Sequence, residues 1–170
     1  MHRLVLMRHA RAEPEAAADH ARRLSPHGRR DARVAGRLLA GRGDTPTLAL
    51  VSTAQRARDT WEAVREGLDT TAAEPEVWFD RALYDSGPRA VVELLGAVEA
   101  GVATVLVVGH NPTMSVVAAA LSDGEAGGDL EERIAAGLST AACAGYDVPV
   151  AWEDVNARRL RLTHLDVPRG

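Results

Sequence analysis

The sequence predicts an α/β fold, a three-layer α/β/α sandwich around a mainly parallel central sheet. Three observations carry this. Strand-like and helix-like segments alternate over most of the 170 residues, the pattern of a chain built from parallel βαβ units. The runs Leu4–Met7 and Val105–Val108 are continuously apolar, as strands buried on both faces are. Each run then ends in a histidine, within Arg8-His9-Ala10 and within Gly109-His110-Asn111-Pro112. Both histidines therefore fall just past the carboxyl ends of buried strands, where open α/β sheets place their ligand sites.

The elements follow in order. Arg3–Met7 reads as a buried strand. Arg8–Leu24 reads as a loop with a turn of helix around Ala16–Ala21. Ser25-Pro26 opens a helix, with serine as N-cap and proline in the first turn. That helix runs to about Ala40, presents Ala32, Ala35, Leu38 and Leu39 on one face, and stops at Gly41 and Gly43. Leu48–Val51 is a second strand. A helix from about Gln55 carries Ala57, Trp61, Val64 and Leu68 on one face. Glu76–Phe79 is a third strand near an edge, and Arg81–Gly87 a loop. Pro88 to about Ala100 is a helix, Thr104–Val108 a strand, and a further helix opens at Asn111-Pro112 and ends near Leu121. Ser122–Asp129 reads as a flexible connector. Leu138–Asp147 and Arg158–Leu165 read as the last strands, an antiparallel pair. No linker divides the chain, so a single domain over 1–170 is expected.

Composition narrows the chemistry. The net charge of -4 argues against a global basic surface for nucleic acid, and the run Arg158, Arg159, Arg161 reads as a solvated strand face. All 20 basic residues are arginine, which excludes a P-loop or Schiff-base lysine. The single cysteine, Cys143, excludes an intramolecular disulfide and a multi-cysteine zinc site; it reads as a small buried apolar residue. No apolar stretch is long enough to span a bilayer, and no leader peptide is evident, so a cytoplasmic location is expected. His2, His20, His27 and His164 show no ligand spacing and read as surface or packing residues. Trp61, Trp78 and Trp152 read as core or near-core anchors.

The chemistry concentrates in three pieces. Arg8-His9 alone could be no more than a charged strand cap. Gly109-His110-Asn111-Pro112 says more: the glycine permits close backbone approach, Asn111 can cap the next helix, and the helix N-terminus favours an anion beside His110. The third piece is Ser52-Thr53-Ala54-Gln55-Arg56-Ala57-Arg58-Asp59-Thr60. Arg56 stands in the first turn of a helix, against the macrodipole, a placement that suits a bound anion because the guanidinium fork matches phosphate oxygens. Arg58 reads as solvated, and Ser52 and Thr60 as packing or capping groups.

Together these pieces resemble the histidine phosphatase superfamily, also called phosphoglycerate-mutase-like. The short chain and the segment Asp19…Arg22-Arg23-Leu24-Ser25…Gly28 look most like its SixA branch, the phosphohistidine phosphatases. The resemblance implies that His9 is the nucleophile, attacking phosphorus and forming a covalent phosphohistidine that water hydrolyses. It implies that Arg8, Arg56 and His110 hold the phosphoryl oxygens, and that Arg22 and Asn111 contact substrate, although Arg22 also reads as a surface arginine before a helix. Neighbouring arginines keep His9 unprotonated. No cofactor or metal is implied. The substrate would be a phosphorylated protein carrying phosphohistidine, or a small phosphorylated compound, in a shallow, open site.

Two departures from the family pattern stand out. Ala10 replaces the usual glycine, a small change. Leu83-Tyr84-Asp85 replaces the Leu-x-Glu that supplies the general acid in mutase-like members. Asp85 is either a shorter acid or a turn aspartate before Ser86-Gly87. A weak acid position favours a labile P–N bond over sugar phosphates. The rival readings are a general phosphomonoesterase or mutase-like enzyme with Asp85 as acid, and a phospho-ligand binding module without turnover.

Overall fold

Four parallel strands bring the two histidine-bearing termini together. A computed structural model describes residues 1–68, 74–156 and 159–170. Its six-stranded sheet has the order β3-β2-β4-β1-β5-β6, with β1 (His2–Arg8), β2 (Leu48–Ser52), β3 (Glu76–Asp80), β4 (Thr104–Gly109), β5 (Cys143–Val148) and β6 (Arg161–Asp166). β3, β2, β4 and β1 are parallel, β5 runs antiparallel to β1, and β6 antiparallel to β5. Arg8 is in register with Gly109, so the two strand-then-histidine motifs end side by side.

Strand side chains alternate between two cores. Leu4, Leu6, Leu48, Leu50, Val105 and Val107 face one; Val5, Met7, Ala49, Val51, Leu106 and Val108 face the other. The second core is closed by α1 (Pro26–Arg42) and α2 (Gln55–Leu68). The first is closed by α3 (Ala82–Asp85), α4 (Pro88–Gly96), α5 (Thr113–Leu121) and α6 (Gly128–Ala135), with Trp152. This is the three-layer sandwich the sequence predicts.

Local chemistry explains most boundaries. The Ser25 side chain accepts the Gly28 N–H at 3.0 Å as N-cap of α1, and Gly43, at φ 75°, ends that helix in the left-handed conformation. Gly41 stays inside the helix, and Leu38 is exposed rather than on the core face. α1 and α2 pack backbone to backbone: a Cβ on Gly36 would lie 2.1 Å from the Val64 carbonyl oxygen, and one on Gly67 2.1 Å from that of Arg33. The predicted face of α2 (Ala57, Trp61, Val64, Leu68) is buried, as are Cys143 and Trp152, while Trp78 is half-buried.

Several expectations shift. α4 ends at Gly96 rather than near Ala100, because the chain turns at Ala97. α6 occupies a stretch with no predicted element; Ile134 is buried and Leu130 packs beside it. β5 begins at Cys143, because 138–142 turns beneath the end of β1: the Ala141 N–H donates to the carbonyls of both Arg8 and His9 at 3.2 Å. β6 begins at Arg161, and Arg158 lies outside the described residues. Among the described residues no helix is long and apolar enough to cross a membrane.

Candidate active site

The parallel register of β1 and β4 seats His9 beside His110. The His9 N–H donates to the Gly109 carbonyl at 2.9 Å, and the two imidazoles lie 4.9 Å apart, centroid to centroid. Ala10 follows, fully buried; its N–H donates to Thr60 Oγ1 at 3.1 Å. Thr60 in turn donates to the Arg56 carbonyl at 2.6 Å. Thr60 thus clamps the turn after β1 onto the helix that carries Arg56.

The tautomer of His9 follows from its partners. Nδ1 lies 2.7 Å from the Ala10 carbonyl, an acceptor only, so Nδ1 carries the proton. The lone pair is then on Nε2, which accepts from Arg56 Nε at 3.3 Å. Burial, first of all, pushes this imidazole down to about 4; the Ala10 bond opposes that, and the Arg56, Arg8 and Arg22 guanidiniums add to it. At neutral pH His9 therefore presents an unprotonated nitrogen to a cationic wall.

His110 is held differently. Its Nε2 is 2.8 Å from Ser52 Oγ, and Ser52 Oγ already accepts the Ala54 N–H at 3.3 Å. A serine hydroxyl can both donate and accept; where it donates to Nε2, the proton sits on Nδ1, a buried atom with no hydrogen-bond partner among the described residues. Burial and the adjacent His9 and Arg56 push His110 down to about 3, so it too is neutral at pH 7. Arg8 contributes a second unpartnered buried donor, Nε, while its Nη1 donates to the Leu138 carbonyl at 3.1 Å.

Arg56, only 7% exposed, is fixed at both ends. Its Nη1 donates to the Asp19 carbonyl at 2.7 Å and its Nη2 to Asp19 Oδ2 at 3.0 Å, so Nε is the donor turned to His9. Asp19 is brought over the site by a returning loop, in which the Ser25 N–H donates to the Arg11 carbonyl and the Glu13 N–H to that of Arg23. It lies in a 3-10 turn, Asp19–Ala21, within the predicted helical turn. Arg22 Nε donates to the Glu13 carbonyl at 2.9 Å and its Nη1 to Asp19 Oδ1 at 3.1 Å. The buried Asp59 accepts the Leu24 N–H at 3.1 Å and ties the loop to α2.

The remaining site expectations fare unevenly. Asn111 does not cap α5: Pro112 is the N-cap position and no side-chain cap bond forms. Instead Asn111 Nδ2 donates to the Leu138 carbonyl and its Oδ1 accepts from Ser115, both at 2.8 Å, so its amide spans the turn before β5. An open cleft of about 680 Å³ lies there, lined by Arg8, Asn111, Ser115 and Gly137–Ser139 among others. Asp85 accepts from Arg81 Nε at 2.9 Å, a partner one helical turn away. Its neighbour Tyr84 is the residue that reaches the site: its ring meets those of His110 at 5.6 Å and His20 at 4.8 Å, edge to face. Sequence reasoning gave no site role to Asp19, His20 or Tyr84. The only signal for them is position, Asp19 three residues before Arg22 and Tyr84 beside the weak acid position.

A sandwich of this topology, with two histidines and two arginines at the carboxyl edge of its parallel strands, defines a phosphoglycerate-mutase-like protein. The comparisons agree. The model of the histidine phosphatase superfamily (branch 1) matches residues 4–83. An uncharacterized protein of Mycobacterium leprae is 35% identical over 96% of this chain and 100% of its own length; one of Mycobacterium tuberculosis is 38% identical at the same coverages. Among solved structures, a candidate phosphohistidine phosphatase SixA from Nakamurella multipartitia superposes with TM-score 0.80 at 30% identity, covering 98% of this chain and 96% of its own. The protein histidine phosphatase SixA complexed with tungstate gives 0.77 at 26%, covering 98% and 97%. The chain belongs to the histidine phosphatase superfamily, is of its SixA type, and is a phosphatase hydrolase.

Proposed function

We propose that this phosphatase removes phosphoryl groups from phosphohistidine in a protein, through a covalent phosphohistidine on His9 and without a metal. The observation that carries the reading is the state of His9: Nδ1–H bound to the Ala10 carbonyl, Nε2 bare of protons and faced by Arg56. The Nε2 lone pair attacks phosphorus as the P–N bond of the substrate breaks. Arg56, Arg8 and the Nδ1–H of His110 take the three non-bridging oxygens, whose charge shifts in the transition state. The two unpartnered buried donors, Arg8 Nε and His110 Nδ1, thereby gain acceptors. Water then attacks the phosphoryl on His9, releasing phosphate and restoring the neutral imidazole.

Transfer from one imidazole to another is nearly symmetric. Donor and acceptor are the same chemical group, so little driving force is required from the protein. A ring protonated on its far nitrogen leaves as neutral imidazole and needs no enzyme acid. The local pairing of Asp85 with Arg81 fits that economy. An open cleft beside Arg8 leaves room for a phosphoryl group carried on a protein. The solved neighbours named for phosphohistidine phosphatase activity support the same substrate class.

The test is incubation with a phosphohistidine-bearing protein, comparing wild type with His9→Ala. Wild type should release phosphate and form an acid-labile phosphoenzyme, with a chelator leaving the rate unchanged; His9→Ala should do neither. Equal phosphate release by the two overturns the mechanism, and strong chelator inhibition overturns its metal independence.

A further inference from the structure

The mouth of the site carries groups that the phosphoryl chemistry does not use. Tyr84 stands edge-on to His20 (4.8 Å, 89°) and to His110 (5.6 Å, 77°), and the Arg56 guanidinium lies 5.9 Å from its ring centre. His20 is fixed through Nε2 to Thr53 Oγ1 at 3.1 Å. The Tyr84 hydroxyl donates to Asp19 Oδ2 at 3.1 Å. One ring separates Tyr84 from His9, and one guanidinium separates Asp19 from it.

We propose that Tyr84, His20 and Asp19 form a leaving-group subsite for a planar aromatic ring bearing an N–H, the imidazole of a phosphohistidine. The inference rests on the proposed substrate and names the residues that recognise its ring. Tyr84 and His20 supply the aromatic walls, and quadrupoles of aromatic rings favour such stacked and edge-on contacts. Asp19 supplies the acceptor. Its carboxylate has about four lone-pair positions, of which Arg22, Arg56 and Tyr84 use three. The remaining one, on Oδ1, is accessible, since the side chain is 52% exposed.

The charge at this position selects the same class of leaving group. Burial alone would raise the Asp19 carboxyl, but the bonds from Arg22, Arg56 and Tyr84 outweigh it and hold the group at about 2. Asp19 therefore stays anionic and is no proton donor at neutral pH. It repels leaving groups that carry phosphate or carboxylate and attracts one that presents N–H. In the transfer step the far ring nitrogen keeps its proton, bound to Asp19. The P–N electron pair returns to the near nitrogen, phosphorus bonds to His9 Nε2, and neutral imidazole departs.

The test measures kcat/KM on two P–N substrates, a phosphohistidine peptide and phosphoramidate, which has no ring. Both use the same phosphoryl pocket, so misplacement of Arg56 lowers both alike. For Tyr84→Ala the expected loss is about tenfold on the peptide, the order of one lost stacking contact, and under about threefold on phosphoramidate. Asp19→Asn should likewise lower the peptide-to-phosphoramidate ratio, and Tyr84→Phe, which keeps the ring, should hold that ratio near wild type. Equal losses on both substrates, or none on the peptide, overturn the subsite while leaving the phosphohistidine reading intact. A wild type that spares the peptide altogether fails the functional reading itself, and the subsite with it.

Discussion

The ends of β1 and β4 look like copies in sequence and behave as complements in the fold. Each is an apolar strand that stops at a histidine, and the parallel register sets the two rings 4.9 Å apart. Yet His9 gives its Nδ1 proton to a carbonyl and turns an unprotonated Nε2 toward Arg56. His110 meets the Ser52 hydroxyl at Nε2 and keeps Nδ1 buried without a partner among the described residues. In the proposed mechanism the same residue type becomes a nucleophile at one strand end and an electrophilic clamp at the other. The difference lies in what each ring's second nitrogen meets. At His110 that is Ser52, on the neighbouring strand β2; at His9 it is the adjacent backbone.

The largest effect should come from breaking the comparison directly. His9→Ala should lower turnover by about 10⁴-fold or more, as loss of a covalent nucleophile does, and no phosphoenzyme should form. His110→Ala removes a stabilising donor, so a loss of about 10²–10³-fold is expected, with phosphoenzyme still trapped on His9. Quench trapping of both variants checks this. Phosphoenzyme in His9→Ala, or none in His110→Ala at long times, would mean the roles are reversed.

The pair also has a joint signature in stability. Both rings titrate below the ordinary histidine value near 6.5, His9 at about 4 and His110 at about 3. Between those values and 6.5 the unfolded chain binds more protons than the folded one, so stability rises with pH. At pH 7 both rings are neutral in either state and contribute nothing. As pH falls from 7 to 5 each buried ring should cost about 2 kcal/mol, because only the unfolded chain protonates. Urea midpoints at pH 7 and pH 5 should show a smaller acid loss for His110→Gln than for wild type. Parallel losses would mean that the rings protonate freely in the folded protein.

Much of this arrangement was legible in the sequence because it is carried by strands and helix starts. Uninterrupted apolar runs such as Val105–Val108 mark buried parallel strands, and a histidine at the end of one has nowhere to sit but the sheet edge. Arg56 was legible because a cation in a first helical turn needs a reason. The groups that tune the site are different in kind. Asp19 reaches Arg56 across 37 residues, Ser52 reaches His110 across 58, and Tyr84 reaches Asp19 across 65. No local periodicity encodes such contacts; they exist only once the returning loop Arg11–Ser25 and the short helix α3 are folded. The same holds for Ala141, whose N–H braces the end of β1 from a stretch that reads, by its apolar content, as continuous strand. Asn111 misled for a local reason: asparagine before a helix usually caps it, but here the amide is engaged by Leu138 and Ser115.

A milder variant sharpens the comparison without removing either ring. Ser52→Ala frees His110 Nε2 and lets the ring take the other tautomer. The expected loss in kcat is about 3- to 10-fold, the worth of one neutral hydrogen bond, with the His9 phosphoenzyme still formed. NMR of the ring nitrogens should show the His110 proton moving from Nδ1 alone to a mixture. An unchanged His110 tautomer would place its control elsewhere than Ser52.

The smallest effect should fall on the carboxylate that sequence reasoning offered as an acid. Asp85 sits at the end of α3, half in solvent, and its bond to Arg81 is an i,i+4 surface pair. Such pairs contribute little to stability, so Asp85→Asn should change the unfolding free energy by no more than about 0.5 kcal/mol. Its effect on phosphohistidine hydrolysis should be within about twofold, because the departing imidazole already carries its proton and general acid catalysis, where it operates, is worth far more. Phosphate esters provide the contrast. An alkoxide cannot leave without a proton, and with Asp85 held by Arg81 and Asp19 kept ionised, ester turnover should stay slow in wild type and variant alike. Fast ester hydrolysis that disappears in Asp85→Asn would instead assign the proton to Asp85 and make the enzyme a phosphomonoesterase. It would also require the Arg81 bond to open during turnover, because Asp85 Oδ2 is engaged by that guanidinium at 2.9 Å.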